Sequence, residues 1–217
     1  YSSTRDLLTK HYPSLKSYWS RIGSPQVRNM GTIGGNLGTA SPIGDALPIL
    51  LALDATINVC SKKGGRREIG ADRFFIDYRK TALARDELIE SIILPKPRPS
   101  TKLFVDKVSK RRDQDISTVC GAYHLSLEGG VVREARIAFG GLAATPMRAV
   151  HVEKALCSQK LTEATIAAAA IAMCDDFEPL SDLRGTAEYR LTVSKNLLKR
   201  LYVRLADAEV LIDCDDL

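Results

Sequence analysis

The stretch MGTIGGNLGTASPIGD, from Met30 to Asp45, carries the strongest structural signal in this 217-residue chain. It is rich in glycine, and glycine permits positive φ and close backbone approach, so successive N–H groups can converge on one anion. The hydroxyls of Thr32, Thr39 and Ser41 add further hydrogen-bonding groups. The stretch therefore predicts a phosphate-binding loop. An apolar helix is expected to begin at Ser41-Pro42 and to end near Leu53.

The spacing of the glycines excludes two familiar nucleotide-binding motifs. A Rossmann fingerprint needs G-x-G-x-x-G between a strand and a helix, whereas this stretch reads G-x-x-G-G-x-x-G and follows expected helices. A P-loop is excluded because no Gly-Lys-Ser or Gly-Lys-Thr follows the glycines. The residues alone leave one alternative open, an irregular loop in which the glycines only permit turns.

Composition indicates a globular protein outside the membrane. The chain is 45% hydrophobic and 26% charged, which is ordinary for a globular domain. No apolar run approaches the roughly 20 residues of a membrane-spanning helix, and the N-terminus lacks the pattern of a signal peptide. These observations predict no membrane partner and a cytoplasmic location.

The net charge of +5 does not by itself indicate nucleic-acid binding. Basic residues are spread along the chain and alternate with carboxylates, and the dense cluster from Lys107 to Arg112 is followed at once by Asp113 and Asp115. A nucleic-acid partner requires a clustered basic footprint or a recognisable motif. We therefore expect no nucleic-acid partner.

Cysteine and histidine spacing predicts no metal site in this chain. The five cysteines include no CxxC pair, and the three histidines are scattered. Zinc and iron–sulfur sites need closely spaced ligands for at least part of the set. We interpret the cysteines as reduced thiols.

Periodicity predicts short helices first, then strands, then strands followed by helices. Expected helices before the glycine-rich stretch cover residues 4–11, 13–21 and about 25–29. Expected strands after it cover 55–60, 66–69 and 88–94, with a short helix or turn at 72–76. The second half is expected to contain strands at 103–109, 118–127 and 131–139 and helices at 148–157, 162–174 and 187–205.

The run KPRPS, residues 96–100, is the predicted domain boundary, because closely spaced prolines interrupt both helices and strand ladders. It divides the chain into domains 1–100 and 101–217. Segregated sheet and helix predict an α+β fold, with a mixed sheet-and-helix domain followed by a three-stranded antiparallel sheet and a helical bundle.

Several segments, in order, resemble the FAD-binding domain of the xanthine dehydrogenase family of molybdenum hydroxylases. They are QVRNMGTIGGNLGTASPIGD (26–45), FFIDYRKTAL (74–83), DELIESIILP (86–95), DKVSKRRDQDIS (106–117) and EYR (188–190). The resemblance implies FAD as cofactor and implies that residues 101–217 form the flavoprotein C-terminal domain. It places the molybdenum cofactor and the iron–sulfur clusters in other domains or subunits.

Carried over by position, the family's flavin contacts fall on ten residues of this chain. They are Ile22, Gly23, Thr32, Ile33, Gly34, Gly35, Asn36, Asp45, Ile89 and Lys107. The resemblance implies that the Gly34–Asn36 segment holds the diphosphate, that Asp45 accepts from hydroxyl or amino groups, and that Lys107 raises the flavin potential. No residue is expected to perform acid–base catalysis.

The resemblance also implies a place in a larger enzyme. Electrons would arrive from an iron–sulfur domain and a molybdenum-binding subunit or domain and would pass through the flavin to NAD, with dioxygen as the other possible acceptor. The segment RRDQD favours xanthine as the substrate, and another purine, an aldehyde, carbon monoxide and an aromatic acyl thioester stay open. The family's flavin domain begins with an earlier glycine-rich segment, so we expect this chain to be a C-terminal part that binds FAD weakly and is inactive alone. The alternatives are a flavin-free phosphate- or nucleotide-binding module and an assembly subunit that docks partners.

Overall fold

The computed structural model describes residues 1–206 and begins with five short helices. They are α1 (Ser2–His11), α2 (Leu15–Ser20), α3 (Pro25–Met30), α4 (Ile33–Thr39) and α5 (Leu47–Ala52). Helix α3 begins where the sequence predicts it, because the Ser24 side chain accepts a hydrogen bond from Val27 N and Pro25 occupies the first turn. The prediction of three helices before the glycine-rich stretch is confirmed.

The glycine-rich stretch itself forms a helix, so the prediction of a loop is wrong. Thr32 caps α4, its hydroxyl accepting from Gly35 N at 2.8 Å, and Ala40 ends the helix in the left-handed region with φ of 46°. The next helix begins at Leu47 and not at Pro42, because residues 41–46 form turns. One of these turns places the Pro42 carbonyl where Gly141 N donates to it at 2.8 Å.

The middle of the chain forms a small antiparallel sheet. Its elements are β1 (Thr56–Ser61), β2 (Gly65–Gly70), α6 (Ala71–Phe74), β3 (Phe75–Asp77), β4 (Lys80–Thr81) and β5 (Leu88–Ile93). The strand order is β2-β1-β5, and β3 pairs separately with β4. The strands predicted at 55–60 and 66–69 are confirmed and pair as an antiparallel hairpin, with Ile57 opposite Ile69.

A second antiparallel sheet follows. It contains β6 (Thr101–Val108), β7 (Val119–Glu128), β8 (Val131–Gly140) and β9 (Met147–Arg148), in the order β6-β7-β8-β9. The three predicted strands are present, but the sheet has a fourth strand that the sequence analysis missed, since two residues give no periodic signal. Helices α7 (Val150–Leu156), α8 (Glu163–Asp176) and α9 (Ala187–Ala206) complete the α+β fold.

The two faces of the second sheet join two different hydrophobic clusters. Val119, Tyr123 and Phe139 face α7, α8 and α9, whereas the small residues Cys120 and Ala122 face the first half of the chain. Helix α5 packs on that small-residue face. The approach is close: a Cβ added at Gly140 would lie 3.0 Å from the Pro42 carbonyl oxygen. No helix within residues 1–206 is long and apolar enough to cross a membrane.

Candidate functional site

A buried ion pair lies where the two halves of the chain meet. Lys107 Nζ, near the end of β6, is 2.7 Å from Asp45 Oδ2, and the two side chains are 1% and 11% exposed. The same ammonium donates to the Arg21 carbonyl at 3.1 Å, and Arg21 donates back to the Lys107 carbonyl at 3.0 Å. The pair therefore ties α2, the turn before α5 and strand β6 together.

Two neighbours that the sequence analysis missed hold Asp45 in place. The Ser117 hydroxyl donates to Asp45 Oδ1, and the Tyr18 hydroxyl donates to the Asp45 carbonyl at 2.8 Å. Burial raises the pKa of Tyr18 well above its usual value, so its hydroxyl stays protonated and able to donate. Both partners are distant in sequence, and no local motif signals such contacts.

The first turn of α4 offers fewer amides than the sequence predicts. Gly35 N donates to the Thr32 hydroxyl and Asn36 N donates to the Thr32 carbonyl at 3.1 Å, so the protein itself uses both groups. A helix leaves its first N–H groups without intrahelical acceptors, and at α4 these are Ile33 and Gly34. An anion at this end would therefore meet two backbone donors and the positive end of a short helix.

Gly34 leaves a narrow space beside that turn, and Asn36 presents an unpaired acceptor near it. A Cβ added at Gly34 would lie 3.8 Å from Ile89 Cγ2, so the absent side chain leaves room between α4 and β5. Asn36 packs against Gly44, next to Asp45, and its Oδ1 is buried without a hydrogen-bond partner among the described residues. A buried acceptor of this kind calls for a donor. Gly34 therefore lies next to β5, and Asn36 lies next to the turn that contains Asp45.

Two of the ten candidate residues are used by the fold. Ile22 is 6% exposed and belongs to the first hydrophobic cluster. Gly23 adopts φ of +58°, and a Cβ there would come within 2.8 Å of the Val27 side chain, so the turn before α3 requires glycine. These two residues therefore also have a structural role in the first half of the chain.

A large apolar cavity opens on the other side of the α4 N-terminus. Its volume is about 810 Å³, and its walls come from α1, α2, α3, α5 and the segment that ends β5, together with Thr32 and Ile33. Met30 and Leu7 line it and are strongly exposed. Exposed apolar surface of this extent marks a site that another molecule or segment covers.

Cysteine reactivity tests the packing of the region directly. Cys120 is buried, its sulfur lies 3.0 Å from the Tyr18 hydroxyl, and burial raises the pKa of its thiol, so little thiolate forms. We expect iodoacetamide to alkylate exposed Cys174 in the native protein and to leave Cys120 unmodified, as read by peptide mass mapping. Denatured protein, in which both react, is the control. Equal rates for the two in the native protein would contradict this packing.

Comparison with known proteins identifies the family to which this chain belongs. Residues 1–97 match the FAD binding domain in molybdopterin dehydrogenase, and residues 105–205 match the CO dehydrogenase flavoprotein C-terminal domain. The glyceraldehyde dehydrogenase medium chain of Sulfolobus acidocaldarius is 31% identical over 94% of this chain and 71% of its own length. The chain belongs to the FAD-binding subunits of the molybdenum hydroxylase family.

Further members of the molybdenum hydroxylase family agree with this assignment. The xanthine dehydrogenase FAD-binding subunit of Escherichia coli O157:H7 is 31% identical over 88% of this chain and 66% of its own length. The carbon monoxide dehydrogenase structure from Hydrogenophaga pseudoflava superposes with a TM-score of 0.84 at 32% identity, covering 89% of this chain and 67% of that one. The chain thus spans about two thirds of these relatives.

Membership of the molybdenum hydroxylase family confirms three predictions. The three are the predicted family, the predicted α+β fold and the predicted cofactor, FAD. The molybdenum cofactor and iron–sulfur clusters belong to other domains or subunits of these enzymes. The names of the relatives range over xanthine, glyceraldehyde and carbon monoxide, so the family alone does not fix a substrate.

Proposed function

We propose that this chain supplies one side of an FAD site in a molybdenum-dependent dehydrogenase. The observation that carries the proposal is Asn36 Oδ1, which is buried without a hydrogen-bond partner among the described residues and lies in the first turns of α4, next to Gly44. The proposed contacts are Ile22, Gly23, Thr32, Ile33, Gly34, Gly35, Asn36, Asp45, Ile89 and Lys107. In this arrangement the Ile33 and Gly34 amides hold the diphosphate, and Asn36 Oδ1 accepts from the cofactor.

Lys107 would place a positive charge beside the flavin. When bound, FAD supplies the transfer of one or two electrons between the metal clusters and an acceptor. A nearby cation favours the anionic reduced ring and raises its potential. Hydrogen bonds from Ser117 and Tyr18 hold Asp45, and Asp45 holds the ammonium, so the position of the ammonium stays fixed while Asp45 offsets part of its charge.

We place the chain between two electron carriers. Electrons would come from an iron–sulfur domain, which a molybdenum-binding subunit or domain has reduced, and would leave as hydride to NAD. The segment RRDQD, residues 111–115, favours xanthine, which is therefore the proposed substrate of the whole enzyme.

A further segment would complete the flavin site. The apolar cavity next to Thr32 and Ile33, with Met30 and Leu7 exposed in it, is the surface that such a segment would cover. We propose that this segment is an N-terminal half of the flavin domain, within the third of the relatives' length that this chain does not span, next to the two proposed domains 1–100 and 101–217. The 217 residues by themselves would then bind FAD weakly and would be inactive.

A matched pair of glycine variants tests the site. Gly34→Val fills the space beside Ile89, whereas a side chain at Gly38, in the same helix, meets nothing within 4 Å. We expect saturable but weak FAD binding to the chain, measured by fluorescence anisotropy. Gly34→Val should weaken it about tenfold, or 1.4 kcal/mol, while Gly38→Val, with the same cost in helix propensity, should leave it unchanged.

Control ligands distinguish the alternatives. ADP that binds as tightly as FAD would favour a nucleotide-binding module without flavin. If Gly34→Val does not change FAD binding, or if no FAD binds, an assembly role is favoured. Purified chain that retains stoichiometric yellow flavin would contradict the proposed weakness of the isolated site.

A further inference from the structure

A second, strongly basic cleft lies between α2, β6 and α9. Its volume is about 360 Å³, at the lower end of the range for small-molecule sites. Besides Lys107, six basic side chains line it: Arg21, Lys110, Arg111, Arg112, Arg200 and Arg204. Among the described residues, Asp106 is the single acidic side chain in that lining.

Within residues 1–206, the ion pairs of the cleft neutralise only part of its positive charge. Arg200 and Arg204 share one carboxylate, with Arg200 Nε 3.3 Å and Arg204 NH1 2.9 Å from Asp106 Oδ1. This group of three therefore keeps one net positive charge. Its carboxylate is 9% exposed, so water screens the group only partly.

Two further cations in the cleft donate to carbonyl groups. Arg21 NH1 donates to the Lys107 carbonyl, and Lys110 Nζ donates to the Leu183 carbonyl at 2.6 Å. A carbonyl satisfies a hydrogen bond but leaves the charge of its donor in place. Arg21 Nε is also buried without an acceptor among the residues described. Counted over the part of the chain that the structure describes, three positive charges thus meet in one small volume: Arg21, Lys110 and the excess beside Asp106.

We infer that this cleft binds a phosphate-bearing small molecule through Arg21, Lys110, Arg200 and Arg204. Guanidinium groups match phosphate oxygens in charge and in hydrogen-bond geometry. Concave basic surface also concentrates anions by focusing the field. The site is separate from the proposed diphosphate position at α4, because no α4 residue lines the cleft.

Pyrophosphate is the probe, measured by isothermal titration calorimetry on the 217-residue chain at constant ionic strength. We expect saturable binding at one site, and we expect Lys110→Gln/Arg200→Gln to weaken it about tenfold or more. This double variant leaves Asp106 paired with Arg204, so no buried carboxylate loses its last partner. The matched control, Lys62→Gln/Lys63→Gln, removes the same charge from the exposed β1–β2 turn and should leave the affinity unchanged.

Three further arms decide the source and the position of binding. ADP that binds at least as tightly as pyrophosphate identifies a nucleotide ligand, and pyrophosphate that binds more tightly identifies an inorganic or simple organic phosphate. Gly34→Val should leave pyrophosphate binding intact, which separates this cleft from the flavin site. Equal loss in both double variants, loss in Gly34→Val, or equal affinity for sulfate at the same ionic strength would overturn the inference.

Discussion

Lys107→Met should lower the free energy of unfolding by about 3–5 kcal/mol, because it leaves the buried Asp45 carboxylate without its cation. The methionine keeps most of the length and apolar surface of the lysine stem, so the loss reports the charge and not a cavity. Ser117 and Tyr18 still donate to Asp45, but two neutral hydroxyl donors do not replace an ammonium in a nearly dry position.

Urea denaturation followed by circular dichroism measures this loss. Lys102→Met is the matched control, since Lys102 lies on the same strand and is exposed, and it should change stability by less than about 0.5 kcal/mol. The double variant Lys107→Met/Asp45→Leu should be more stable than the sum of the two single losses implies, because it removes both charges. A Lys107→Met loss as small as that of Lys102→Met would show that the pair contributes nothing to the fold.

The strands were predictable because their periodicity is local and strong. The alternation from Ala55 to Cys60 and the glycine turn between Val119–Glu128 and Val131–Gly140 give the same strands in sequence and in structure. Helix α4 was not predictable in this way, because three of its seven residues are glycine. Each glycine disfavours a helix by about 1 kcal/mol relative to alanine. The Thr32 cap of α4 and the complete burial of Leu37 override that preference.

The candidate site was likewise predictable only in part. The family resemblance points to Asp45 and Lys107, and the structure brings the two together although 62 positions separate them. Ser117 and Tyr18 follow from neither periodicity nor motif, since each reaches Asp45 through tertiary packing. The amides of Gly35 and Asn36 were assigned to a ligand because the sequence does not reveal that Thr32 accepts from both.

Arg190, in the EYR segment at the start of α9, is the other position where a large effect is expected. Its side chain is 4% exposed, its NH1 donates to the carbonyls of Thr118 and Gly141, and its NH2 donates to Asp182 at 2.6 Å. Thr118 and Gly141 approach so closely that a Cβ at Gly141 would lie 2.3 Å from the Thr118 oxygen. One guanidinium therefore satisfies two carbonyls that have little room for another donor.

Arg190→Met should lower the free energy of unfolding by about 3–5 kcal/mol, since each buried carbonyl left unpaired costs about 1–3 kcal/mol and Asp182 loses a cation. Arg184→Met is the matched control: Arg184 also pairs with Asp182, at 3.1 Å, but holds no buried carbonyl, so the expected loss is below about 1 kcal/mol. Arg190→Lys keeps the charge but has a single nitrogen, and should recover only part of the stability. Urea titrations measure the three losses. Equal losses at Arg190 and Arg184 would assign the effect to the ion pair with Asp182, whereas the geometry assigns it to the carbonyls of Thr118 and Gly141.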